Sequence, residues 1–216
     1  MQVIGITGGA GSGKSAVLKE IEKRYGDRVR VLRADDIANE VKEPGGLCYN
    51  KIVSVLGTDI LEADGTINRR RMAERIFTDD ALLQEVNAIL HPAVRKVLRD
   101  TIRSLREEES GHSADAREDA AARQVPRVLF IEAALLIEAR YREEMLDELW
   151  VVHAPADIRR RRLKETRGYM EERIDGIFAA QQTDESFLAH ADAVIENTKT
   201  IEDALRQADE LLRGMV

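Results

Sequence analysis

The chain has 216 residues, enough for one sizeable hydrophobic core with a subdomain and too few for two full α/β domains. Hydrophobic residues make up 44% and charged residues 34%, a globular balance, and no apolar run approaches the roughly 18 residues that a membrane span needs. The net charge of −7 argues against a general nucleic-acid binder, which needs a positive field to neutralise backbone phosphates; small phosphorylated ligands need only a few local cations and stay open.

Gln2 to Thr7 is short, apolar and β-branched, as a buried first strand would be, and Met1-Gln2-Val3 enters it directly, so no signal peptide is expected. The next stretch, Gly8-Gly9-Ala10-Gly11-Ser12-Gly13-Lys14-Ser15, fits G-x-x-x-x-G-K-[ST] at every fixed position. After it, Val17, Leu18, Ile21 and Tyr25 recur at helical spacing, so the motif lies between a strand and a helix, the context of a phosphate-binding loop. Glycines let successive N–H groups curl around an anion at a helix N-terminus whose partial positive charge adds to the attraction. In such a loop Lys14 reaches the terminal phosphates and Ser15 ligates Mg²⁺.

A second strand over Val29 to Leu32 delivers Ala34-Asp35-Asp36 to its C-terminal end, the edge where open α/β sheets bind ligands. A helix through Ile37, Ala38 and Val41 stops at Glu43-Pro44-Gly45-Gly46, and another through Ile52, Val53 and Leu56 is closed by Gly57. Asp64-Gly65 signals a turn, Arg69 to Phe77 a basic helix, and Asp79 or Asp80 can cap the next, which His91-Pro92 interrupts before the stripe Val94, Val97, Leu98, Ile102 and Leu105. Residues 36 to 107 therefore read as helical. Residues 107 to 124 lose apolar periodicity and read as a mobile surface loop. The sheet resumes at Val128 to Ile131, ending on Glu132, continues at Leu149 to Val152, and finishes at Ala193 to Ile195. A basic run, Arg159 to Arg162, lies between the last two strands and precedes Arg167-Gly168 and a polar helix to Gln181-Gln182; the final helix opens at Thr200 with Asp203 placed as a capping box.

Phosphoryl transfer to a hydroxyl needs a carboxylate to accept that hydroxyl's proton, and Asp35 or Asp36 can supply it, the other serving as a helix N-cap. Glu132, ending a buried strand, can hold the shell of a Mg²⁺ ion or cap a helix. Of the arginine run most positions form a solvated face, while Arg162 and Arg167 are the candidates for steadying a transferring phosphoryl group. His91 either fixes the proline kink or touches substrate. The lone Cys48 reads as a buried small side chain, and its number suits a reducing, cytoplasmic setting; His112, His153 and His190 share no spacing that makes a metal site.

With these residues in view, the chain resembles the dephospho-CoA kinase family over nearly its whole length. The resemblance is carried by Gly5 to Ser15, Ala34-Asp35 with Ile37-Ala38 and Val41, Glu43-Pro44-Gly45, Leu56-Gly57, Asp64-Gly65, Asn68-Arg69, Leu90-His91-Pro92, Leu135-Leu136 with Glu138, and Ala191 to Asn197. It implies an α/β fold of the P-loop kinase type: a parallel sheet flanked by helices (core about 1–35, 126–155 and 190–216), a helical acceptor-binding insert (about 36–125) and a short lid (about 156–189). It implies ATP and Mg²⁺, with dephospho-coenzyme A as acceptor, phosphorylated on its ribose 3′-hydroxyl in the last step of coenzyme A biosynthesis. The corresponding sites are Gly9, Ala10, Gly11, Ser12, Gly13, Lys14, Ser15, Ala16 and Asn197 for ATP; Asp35, His91 and Glu138 for the acceptor; and Ser15 and Glu132 for the metal. Asp35, Lys14, Arg162 and Arg167 are the implied catalytic set. The chain departs from the family pattern at Arg33, where an aspartate is frequent, at Ala134, where a proline is common, and at Asp184, where an arginine is frequent. A nucleoside or nucleotide kinase shares the loop and lid but lacks a reason for Glu43-Pro44-Gly45 and His91-Pro92. A nucleotide-dependent switch would need a guanine-reading motif that Asn197 to Thr200 does not match.

Overall fold

Each buried strand is covered by a helix whose apolar stripe the sequence spaces at three to four residues. In the computed structural model, which describes residues 1–77, 79–111, 125–133, 136 and 141–216, the elements follow in this order. β1 (Gln2–Thr7), α1 (Lys14–Tyr25), β2 (Val29–Arg33), α2 (Ala34–Glu40), α3 (Tyr49–Leu56), α4 (Arg69–Phe77) and α5 (Asp80–Gly111) form the first half. β3 (Val128–Glu132), α6 (Tyr141–Met145), β4 (Glu148–His153), α7 (Ala156–Arg167), α8 (Glu171–Ala180), α9 (Asp184–His190), β5 (Ala193–Glu196) and α10 (Ile201–Leu211) complete it.

The five strands form one sheet in the order β2-β3-β1-β4-β5. β1 runs parallel to β3 and to β4, and β4 parallel to β5, in a register that aligns Ile6 with Glu132 on one side and with Trp150 on the other. Ile4 and Ile6 of β1, Phe130 of β3 and Trp150 and Val152 of β4 are fully buried under Val17, Leu18 and Ile21 of α1 and Ala204, Leu205 and Ala208 of α10. Each such aliphatic side chain stabilises the fold by about 1.5–3 kcal/mol. Phe130 and Trp150 meet edge to face with ring centroids 5.4 Å apart. α10 begins with the expected capping box, Thr200 accepting from the Asp203 backbone N–H and Asp203 accepting from that of Thr200.

The chain divides into two units, one of residues 1–32 with 105–216 and one of residues 33–104. The second is helical, with a core of Ile37, Val41, Ile52, Leu56, Ile60 and Leu98. It also holds an antiparallel bridge, Leu61 with Ile67, around the Asp64-Gly65 turn.

Three expectations are corrected here. Pro92 does not interrupt a helix: α5 runs unbroken through it. Proline removes one helical hydrogen bond and crowds the preceding turn, but Val86, Val94, Leu98, Ile102 and Leu105 are all buried, so packing on both sides of the proline holds the axis together. Glu107 to Gly111 are not loop but the last turns of α5. Here Glu109 pairs with the amino group of Met1 and the Ser110 hydroxyl donates back to the Arg106 carbonyl, contacts that an apolar-periodicity reading cannot register. Finally, neither Asp35 nor Asp36 is an N-cap. Arg33 occupies that position and both aspartates lie inside the first turn of α2, where the helix dipole favours acidic residues. The rest of the expected loop, residues 112–124, lies outside the described residues, as do Ala134 and Glu138.

Candidate active site

The loop between β1 and α1 closes on itself through the Ser12 N–H, which donates to the Gly9 carbonyl, and enters α1 with Gly13 as its N-cap. Gly11 and Gly13 take φ values of +82° and +91°, a region that L side chains rarely adopt. A Cβ on Gly11 would also stand 2.7 Å from the Arg159 carbonyl oxygen, so α7 packs directly on the loop. Among the described residues no side chain caps α1, leaving its first N–H groups and the positive end of its dipole for an anion.

Three side chains converge beside that helix end. Because β3 is aligned with β1, Glu132 falls next to the loop: its Oε1 accepts from the Ser15 hydroxyl at 2.9 Å and lies 3.1 Å from Lys14 Nζ. Ser15 and Glu132 thus offer two hard oxygens side by side. Among the described residues no group of three or more His, Cys, Asp or Glu could cage a metal ion, so an ion held here would draw most of its ligands from phosphate and water, as Mg²⁺ characteristically does.

The lid arginines hold the loop from the other side. The Arg162 fork is spread over backbone carbonyls, Nη1 donating to Ser12 at 3.1 Å and Nη2 to Asn197 at 2.8 Å. Burial lowers its pKa, with Arg161 adding to the effect, though a guanidinium stays protonated. The buried Asn197 donates its side-chain amide to the Ser12 carbonyl at 2.7 Å, and Gln181 of the lid accepts from the Ala10 N–H at 2.9 Å. Arg167, at the end of α7, is exposed and bonded to the Tyr169 hydroxyl, whose pKa it lowers. Around the loop these residues leave a cleft of about 470 Å³, lined by Gly9 to Ala16, Arg162, Arg167, Asn197 and Lys199.

Every expected ATP-binding residue is therefore gathered in one cleft, with Glu132 beside it. Arg162 is engaged with the loop backbone, whereas Arg167 points from the cleft wall. Asp35, exposed in the first turn of α2, and His91, exposed on α5 and making no hydrogen bond among the described residues, belong to the helical unit. His91 therefore does not fix the proline turn.

Sequence reasoning passed over Arg159. It is buried, donates Nε to the Ala154 carbonyl at 3.0 Å and Nη2 to Asp184 at 2.9 Å, lies over the Phe178 ring, and abuts Gly9. Its place one helical turn before the buried Leu163 was the available signal: an arginine on the apolar stripe of α7 must be paired. Asp184, a departure from the family pattern, is its partner.

The dephospho-CoA kinase family model matches residues 2–203. The chain is 34% identical to the dephospho-CoA kinase of Corynebacterium diphtheriae over 211 residues, covering 98% of this chain and 96% of that one. The chain belongs to the dephospho-CoA kinase family. Among solved structures it is similar to a protein of Thermus thermophilus (27% identity, TM-score 0.74, covering 100% of this chain and 98% of that one). The fold is shared too with a dephospho-CoA kinase of Campylobacter jejuni (20% identity, TM-score 0.67, covering 99% and 96%). Members of the family are kinases that take ATP as donor and dephospho-CoA as acceptor. Among the described residues no helix is long and apolar enough to cross a membrane.

Proposed function

We propose that this chain transfers the γ-phosphoryl group of ATP to the ribose 3′-hydroxyl of dephospho-CoA, releasing coenzyme A and ADP, in the cytoplasm. The observation that carries the reading is the loop with Lys14 and Ser15 on one Glu132 oxygen, in a chain that the family model matches almost end to end. The loop from Gly9 to Ala16 surrounds the ATP phosphates and binds them through those of its backbone N–H groups that make no bond within the protein, Lys14 neutralises the β- and γ-oxygens, and Asn197 keeps the loop in shape through Ser12. Ser15 and Glu132 would hold Mg²⁺, which would supply charge neutralisation across the triphosphate. Asp35 accepts the proton of the 3′-hydroxyl as its oxygen bonds to the γ-phosphorus and the bond to the ADP oxygen breaks. Arg167 meets the charge on the transferring group; Arg162 holds the loop in the arrangement seen here and is the second arginine within reach of it. His91 and Glu138 serve the acceptor.

Acceptor-dependent ADP release is the test. With ATP and Mg²⁺, dephospho-CoA stimulates ADP formation far above that seen with nucleosides or nucleoside monophosphates. Robust turnover of a nucleoside or nucleotide, with none of dephospho-CoA, sinks the acceptor assignment; ATP binding without turnover of any acceptor points to a switch instead.

A further inference from the structure

No step of the proposed reaction uses Arg159, yet its buried guanidinium joins four elements. Nε donates to the Ala154 carbonyl just after β4 at 3.0 Å, Nη2 donates to Asp184 in the first turn of α9 at 2.9 Å, and the group lies 4.5 Å from the centre of the Phe178 ring on α8. Asp184 is itself held in place. Thr183 caps α9 by accepting from the Ser186 N–H, and the second carboxylate oxygen of Asp184 faces His153 Nε2 at 4.0 Å, while His153 Nδ1 lies 2.8 Å from Glu196 at the end of β5. Asp184 is one of the departures from the family pattern, so the pair belongs to this chain in particular.

The free face of this guanidinium is pressed on the phosphate loop. A Cβ on Gly9 would overlap Arg159 Nη1 and stand 2.8 Å from Cζ, and its three nearest atoms would all belong to Arg159. Gly9 does not take the positive φ of Gly11 and Gly13, so contact with Arg159, not backbone strain, is what keeps a side chain out. The tip of an arginine ordinarily swings aside at little cost. This one cannot, because moving it breaks the bonds to Ala154 and Asp184 and leaves a charge buried without a partner. Gly9 in turn supplies the carbonyl that accepts from the Ser12 N–H at 3.0 Å, so a shift of Gly9 is passed along the loop to Ser12 and the N–H groups beyond it.

We infer that Arg159 and Asp184 are a positioning pair for ATP binding: Asp184 holds the guanidinium flat against Gly9, and that contact sets the curve of the phosphate loop. Arg159 acts through the shape of the loop, since Asp184 offsets its charge and the guanidinium packs on Gly9. This rests on the ATP site proposed above.

Calorimetric titration of ATP with Mg²⁺ into the full chain tests the pair, each variant being measured well below its own Tm so that lost stability is not read as lost affinity. Asp184→Ala and Arg159→Lys each weaken ATP binding about five- to tenfold; the lysine keeps the charge but cannot lie flat on Gly9 while bonded to both partners. The KM for dephospho-CoA stays within about twofold. Gly9→Ala weakens ATP binding about thirtyfold in the parent but only about threefold when added to Asp184→Ala, where the guanidinium is free to swing aside. ATP affinity within twofold of the parent in both Asp184→Ala and Arg159→Lys overturns the inference, and so does an equal cost of Gly9→Ala in the two backgrounds. Asp184 is half-buried and not deep in the core, so its variant gives the answer even if Arg159→Lys fails to fold. A parent chain that binds no ATP would refute the ATP site itself, whereas a binding parent with insensitive variants refutes only the pair.

Discussion

The phosphate loop and the first turn of α2 both follow a short strand of the same sheet and both open a helix, yet they are held in opposite ways. The loop is pinned at several points from outside: Ala10 by Gln181, Ser12 by Asn197 and Arg162, Gly11 against the backbone of Arg159. In α2 the buried residues are Ala34 and Ile37, while Asp35 and Asp36 stand exposed between them. The difference fits two tasks. An anion held by backbone N–H groups needs a loop that does not reorganise, since preorganised dipoles stabilise developing charge only when they are already aimed. A proton acceptor needs only a rigid platform and an open face toward its substrate.

That contrast breaks first at Asp35. Asp35→Asn is expected to lower kcat about a hundred- to ten-thousandfold while ATP affinity, measured by calorimetry, stays at the parent value; retained turnover would move the base to Asp36 or elsewhere. Next comes Glu132→Gln, which keeps the shape but loses the charge facing Lys14 and Ser15. The Mg²⁺ concentration for half-maximal rate should rise about tenfold, and a titration with unchanged midpoint would remove Glu132 from the metal site. The two lid arginines sharpen the comparison further. Arg162→Met, which deprives loop carbonyls of a charged donor, should lower Tm by about 3–8 °C, whereas Arg167→Met should leave Tm within about 1 °C and reduce kcat about tenfold or more. The reverse pattern would exchange their roles. The smallest effect is expected at Thr200→Ala, where loss of the capping box lowers Tm by about 2–4 °C with kinetics unchanged.

The loop was legible because its requirements are local. Positive φ at Gly11 and Gly13, a strand before and a helix stripe after are properties of neighbours in sequence, and so is the Thr200–Asp203 capping box. What escaped depends on residues far apart. The helix ran through Pro92 because buried side chains on either side of it are packed, and α5 continued to Gly111 because Glu109 reaches Met1. The pairing of Arg159 with Asp184, across 25 positions, looked from the sequence like one solvated residue in a basic run and one departure from a family pattern. Gln181, at the end of the polar helix, gave no sign of its bond to Ala10. The glycine spacing announced the loop itself; the side chains that hold it come from the opposite end of the chain and could be found only once the fold had brought them there.

The most direct test of the central claim follows the phosphorus. The protein, ATP, Mg²⁺ and dephospho-CoA are incubated together and the products are read by ³¹P NMR and mass spectrometry. One new phosphomonoester is expected on the acceptor, on the ribose 3′-oxygen, formed in step with ADP. ADP appearing with inorganic phosphate and an unmodified acceptor, or a phosphoryl group on any other hydroxyl, would contradict the claim.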